Sequence, residues 1–459
     1  MRKARISVLL FLLVYFSLSP CFSQLQTAYI FQKDDTILRK KYHEESVGKK
    51  NLLIQSVGKE YASDYKKIYQ DQFKLIEDFW KSESPVTDPE VNGYLQKIVQ
   101  KIMTANENLK NIDARVVFSR DWWPNAYSMG DGTIAVNAGL YIFLSNEAEL
   151  VFILCHELAH YYLEHTPKAI KKYVETVNSE TFKAQIKRLS KEEYRVNQQL
   201  EQLAKSIAFD IRSHGRDKES EADKMAFDLM KNTGYDPAAI RTTLELLDKV
   251  DDSLFYSKPV VLNKIFDFEE YPFKMKWIQK ESSIFSQLKE DDSPLTKKEK
   301  DSLKTHPDCS TRILQLDNLL KQENGKAFII DENMFYLLKK NFYLEMMEYC
   351  YQSEQVSRNL FYSLLLLEND PENKTAIYSV ARALNHLYEA QKDHKLGFLV
   401  EKEARFYPEQ YNLLLRMLDR LRLNEIVSLN INFCKKHYSL MKDHTGFKKE
   451  LERLSGFNK

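Results

Sequence analysis

The chain has 459 residues, with 67 Lys+Arg against 66 Asp+Glu, a formal charge of +1. Its 43% apolar and 29% charged residues exclude a largely disordered chain, and the even charge excludes the basic field of a nucleic-acid binder. Only 12 Gly and 12 Pro are present, about 5% together where roughly 12% is usual. That scarcity disfavours an all-β sandwich and leads us to expect long helices.

Arg2, Lys3 and Arg5 precede a mostly apolar run at 6–18, and Ser19, Pro20, Cys21, Phe22 and Ser23 follow. This order reads as a secretory signal peptide at 1–23, too short for the about 20 residues a membrane-spanning helix needs. Cys21 raises lipid anchoring as an alternative, which Pro20 directly before it fits poorly. The expected location is therefore exported, in the periplasm or envelope, with no stable membrane span. Cys155, Cys309, Cys350 and Cys434 remain; without a CxxC pair they read as isolated buried thiols.

Residues 24–85 form an N-terminal helical segment, with Tyr61, Tyr65, Ile68, Tyr69, Phe73, Ile76 and Phe79 spaced mostly by three and four. Asp88-Pro89-Glu90 opens a helix whose apolar face is Val91, Tyr94, Leu95, Ile98, Ile102 and Met103. Strands are expected at 114–119 and, after the turn 129–132, at 133–137. Asn146-Glu147-Ala148-Glu149 resembles a capping box introducing a helix to about His165. Residues 166–213 read as a charged helical hairpin, 217–233 as a helix closed by Gly234, and 251–305 as loops or a mobile insertion. From about 330 the chain is helix-prone to its end. Pro371 and Pro408 open two helical patterns 37 residues apart, near the ~34-residue period of TPR-like repeats.

The segment 151–160 carries chemistry. On a helix, His156 and His160 lie about 40° apart and about 6 Å along the axis, so both imidazoles leave one face. Two such rings bind one zinc ion, with Glu157 beside them to take a proton from water. The apolar residues before them place this helix in the core, where uncompensated imidazoles and a carboxylate cost several kcal/mol. A third ligand must come from elsewhere. His165, five positions on and about 140° round a continuing helix, points away. Two glutamates compete. Glu180 lies in polar surroundings; Glu219 shares a helical face with Asp223, so one carboxylate reaches the metal while the other fixes a ligand ring from behind.

At this point the chain resembles the zinc metallopeptidases that include the CAAX prenyl-protein endopeptidase and the periplasmic β-barrel-assembly-enhancing protease. The resemblance rests on Pro124-Asn125-Ala126-Tyr127 with Gly130, residues 134–139, the His156–His160 turn, 219–223 with Gly234-Tyr235-Asp236-Pro237, and Thr305-His306-Pro307 with Arg312. It implies a mainly α fold with a small β-sheet: a gluzincin-like metallopeptidase domain at 86–325, then an all-α, repeat-like C-terminal domain at 330–459. It further implies one zinc per chain, held by His156, His160 and Glu219, with Asp223 behind them and His306 near the metal or the reacting carbonyl. The absence of multiple membrane spans points to the soluble, exported branch.

The expected function is a zinc-dependent endopeptidase acting on protein or peptide substrates, misfolded envelope proteins among them. Glu157 is the expected base, His306 and Arg312 are the candidate oxyanion donors, and a salt bridge is the plainer role for Arg312. Asn125, Ala126 and the strand 133–137 are expected to bind substrate as an added strand. The alternative is a latent or non-catalytic zinc-binding chaperone or scaffold working through the helical C-terminal part. Phe335, Phe342, Met346 and Tyr349 form a stripe that reads more readily as core than as a recognition groove.

Overall fold

The computed structural model describes residues 33–189, 217–250, 262–280, 309–320, 324–404 and 407–457. The signal-like start with Cys21, most of 251–305, and His306 lie outside the described residues.

Helix α1 (Thr36–Ser56) starts at Asp35, whose carboxylate accepts from the N–H groups of Ile37 and Leu38. Helix α2 (Ala62–Lys81) turns Tyr69, Phe73, Ile76 and Trp80 inward. After β1 (Pro85–Val86), α3 (Pro89–Ala105) begins with an Asp88 cap and Pro in its first turn. Strands β2 (Arg115–Ser119), β3 (Ala126–Ser128) and β4 (Thr133–Asn137) complete a four-stranded sheet of order β1-β2-β4-β3. Strands β2 and β4 run parallel, with Val116 opposite Ile134; β1 and β3 are antiparallel edges.

Alternation along the strands builds two layers. Val117 and Ala135 pack with Phe73, Ile76 and Trp80 of α2, whereas Val116, Phe118, Ile134 and Val136 enter the main core with α3. The expected strand at 133–137 is present, but it lies inside the sheet. Its backbone groups are paired on both sides, so it cannot receive a substrate strand, and only β3 next to it forms an edge.

The short helix α4 (Ala138–Tyr141) packs against the loop before β3: a Cβ on Gly139 would lie 1.9 Å from the Trp122 carbonyl oxygen. Helix α5 (Glu147–Tyr162) follows, buried at every residue from Glu147 to Ala159. It stops earlier than expected because Glu164 takes a left-handed conformation, φ 55°. The chain then turns into α6 (His165–Asn178) and α7 (Glu180–Leu189). Helix α8 (217–231) closes at Gly234, φ +82°. Next come α9 (Ala239–Val250), α10 (Leu262–Phe266) and α11 (Cys309–Leu320). Part of the expected loop region is ordered: Phe266 and Trp277 are fully buried.

Helices α12 (Glu332–Gln352), α13 (Val356–Asn369), α14 (Lys374–Lys392), α15 (Leu396–Leu399), α16 (Glu409–Arg420), α17 (Leu423–Met441) and α18 (Thr445–Phe457) complete the chain. Neighbours α12, α13 and α14 pack in succession, and α14 also meets α17 and α18. These helices share one continuous core with the sheet layer. Phe335 and Phe342 pack their rings on Tyr141 of α4, so with Met346 most of the aromatic stripe is core. Buried Arg120, just after β2, pairs with Glu345 of α12 and, at 3.0 Å, with Asp34. The four described cysteines are free and buried.

Candidate metal centre

Helix α5 is fixed at its first turn by two buried carboxylates. Glu147 accepts from the hydroxyls of Tyr94 (3.0 Å) and Tyr235 (2.9 Å) and from the N–H groups of Ile329, Ile330 and Asp331 at 2.8–2.9 Å. Glu149 accepts from Thr242 and from Ser145 N–H, while Asn146 caps Glu149 N–H. By sequence alone Glu147 reads only as part of a local cap. Its distant donors leave no local signal.

Two turns further on, the His156 and His160 Nε2 atoms stand 3.0 Å apart. Glu219, on α8, places Oε2 3.4 Å from His156 Nε2 and Oε1 3.4 Å from His160 Nε2. One atom from each residue lies within 4.8 Å of the other two, and among the described residues this is the one such cluster of three. Donors bound to zinc at 2.0–2.1 Å with tetrahedral angles stand about 3.3 Å apart. The spacing fits. Glu219 Oε2 is buried yet accepts no aligned hydrogen bond. Glu180, the rival ligand, is exposed at the start of α7.

Behind the cluster, Asp223 Oδ1 lies 3.0 Å from His156 Nδ1. Arg312 of α11 donates to Asp223 through Nε (2.6 Å) and Nη2 (2.7 Å), and its Nη1 lies 3.1 Å from Glu219 Oε2. Burial opposes charge on His156, but Asp223 and Glu219 carry its pKa up to about 10. Burial also opposes ionisation of Asp223, yet Arg312 and His156 hold it at about 2, and the two histidines keep Glu219 well below the carboxylate range.

Glu157, next to His156 on the helix, lines a small cavity with Ala126, Phe152, His156 and Arg312. Burial raises its pKa above the ordinary value, which suits a proton acceptor. Ala126 opens β3 opposite Val136, and the preceding Asn125 carbonyl accepts from Asn137 N–H at 3.0 Å. His165 was expected to point away. Instead, the break at Glu164 folds it back, and its Nδ1 lies 2.9 Å from His160 Nδ1.

The sequence pattern of peptidase family M48 matches residues 89–320, just over half the chain. The chain belongs to this family. It is 29% identical over 172 residues to the metalloprotease YcaL of Escherichia coli, covering 35% of this chain and 62% of that protein. It is 23% identical over 197 residues to the β-barrel assembly-enhancing protease of Yersinia pestis, covering 41% of this chain and 40% of the relative. A putative protease of that name from Vibrio cholerae is 23% identical over 115 residues, a quarter of this chain and 23% of its own length. The chain thus spans less than two thirds of each of these relatives. M48 membership supports metalloprotease activity, and no helix among the described residues is long and apolar enough to cross a membrane.

Proposed function

We propose that the chain is an exported zinc-dependent endopeptidase, with one zinc ion held by His156, His160 and Glu219. The observation that carries this reading is the convergence of those three side chains beside the buried Glu157. When bound there, zinc supplies Lewis acidity toward a peptide carbonyl and an adjacent water. Glu157 takes the proton from that water on its carboxylate as the new C–O bond forms. It then delivers the proton to the amide nitrogen as the C–N bond breaks. The buried position of Glu157 keeps the proton available for return.

Substrate backbone would pair with the edge strand β3 from Ala126 onward, a mode that tolerates many sequences. Asn125 has its N–H on the Trp123 carbonyl and its own carbonyl on Asn137 N–H, and so is no pairing site. Arg312, with Nε and Nη2 bonded to Asp223 and Nη1 turned to Glu219, balances the charge of these carboxylates rather than contacting the reacting carbonyl. His306 remains the candidate second donor to the developing oxyanion. The names of the relatives and the signal-like start support protein substrates in the cell envelope, with quality control of its proteins as the role. The proposed division is a signal peptide at 1–23, a helical segment at 24–85, a peptidase domain at 86–325 and a TPR-like helical domain at 330–459.

The test is cleavage of unfolded β-rich polypeptides by the purified zinc-loaded protein and by Glu157→Gln. Turnover by the parent and none by the variant, with zinc content unchanged in both, supports the reading. Equal cleavage by both overturns the role of Glu157. Zinc binding without turnover favours the scaffold.

A further inference from the structure

Both histidines of the cluster turn Nε2 inward, so each ring must carry its proton on Nδ1 if Nε2 is to offer a lone pair. For His156 the group facing Nδ1 is the carboxylate of Asp223. For His160 it is another imidazole, that of His165, 2.9 Å away with the rings at 78°. An imidazole can accept there only with its own proton on the far nitrogen. That nitrogen, His165 Nε2, lies 3.3 Å from Glu221 Oε2 on α8. His165 is buried, and Lys218, also of α8, donates to its carbonyl at 3.0 Å.

We infer that His165 is a positioning residue for the metal site: it fixes the proton of His160 on Nδ1 and passes the polarisation of Glu221 to the ligand ring. Glu221 to His165 to His160 is a one-ring extension of the carboxylate–histidine arrangement that orients metal ligands. The inference rests on the proposed metal site. It gives α8 a double hold, with Glu219 as ligand on one side of the cluster and Glu221 acting through His165 on the other.

The experiment measures zinc dissociation constants by chelator competition, with the absorption spectrum of the cobalt-substituted protein as a second readout. His165→Ala is expected to weaken zinc binding about 10–100-fold and shift the cobalt bands, and Glu221→Gln to weaken binding by less. The double variant should match His165→Ala alone, because Glu221 acts only through that ring. Binding by His165→Ala within about twofold of the parent would overturn the inference, as would a Glu221→Gln effect that persists in full without His165. Should His165→Ala fail to fold, as judged by circular dichroism, unchanged affinity and spectrum in Glu221→Gln overturn it equally, since Glu221 is exposed. Loss of binding confined to His156, His160 or Glu219 variants sinks this inference alone, whereas a parent chain that binds no zinc sinks the site itself.

Discussion

Arg312 grips Asp223 with two parallel hydrogen bonds, of 2.6 and 2.7 Å, directly behind the ring of His156. Both side chains are almost wholly buried. Removing one partner therefore leaves a buried charge uncompensated. Arg312→Met is expected to cost about 3–5 kcal/mol in urea unfolding, whereas the double variant Arg312→Met with Asp223→Leu should recover much of that loss. A single-variant cost under 1 kcal/mol would count against this account.

The same pair sets an acid limit. In the metal-free fold Asp223 titrates at about 2, against an ordinary 3.8. A depressed carboxyl contributes stability above its unfolded pKa and loses it as pH falls toward the folded one. The difference corresponds to on the order of 2 kcal/mol, lost between about pH 4 and pH 2. Chelator-treated protein should show that decline in thermal melts, and Asp223→Asn should flatten it in that window.

Zinc should stabilise the fold by binding the native state alone. Free zinc at 100 times its dissociation constant adds about 2.7 kcal/mol, so chelation should lower the melting temperature and zinc restore it. With His156→Ala, which removes one ligand of the cluster, the zinc-dependent rise should vanish.

Arg358 of α13 stacks between two aromatic rings. Its guanidinium lies 3.8 Å from the ring centre of Trp122 and 3.9 Å from that of Tyr411, and it donates to Glu401. Trp122 donates in turn to Gln355 at 2.6 Å, so the helical C-terminal part grips the loop that leads into β3. Lysine cannot stack as a flat guanidinium does. Arg358→Lys should cost on the order of 2 kcal/mol and raise KM more than it lowers kcat, because β3 is the proposed substrate edge.

Much of this was legible locally. The α3 opening at Asp88-Pro89, the strand 133–137, the capped start of α5 and the Gly234 stop all lie where residue chemistry puts them. The approach of His156, His160 and Glu219 also followed from helical spacing and a paired acidic face. What escaped depends on the third dimension. His165 was misplaced because a helical wheel assumes a continuing helix, and Glu164 ends this one. Strand β3 has only three residues and exists through pairing with β4. Nothing near Glu147 announces donors 182 to 184 positions away.

That reach ties the start of the histidine helix to a distant stretch of chain. Three of the five groups that satisfy Glu147 come from 329–331, beyond the end of the family-matched segment. A chain cut after residue 320 keeps the two tyrosine donors but lacks those three N–H groups, which leaves the acid at the root of the histidine helix half-satisfied. A fragment ending at 325 should therefore be recovered as aggregate, with the full-length chain soluble under the same expression conditions.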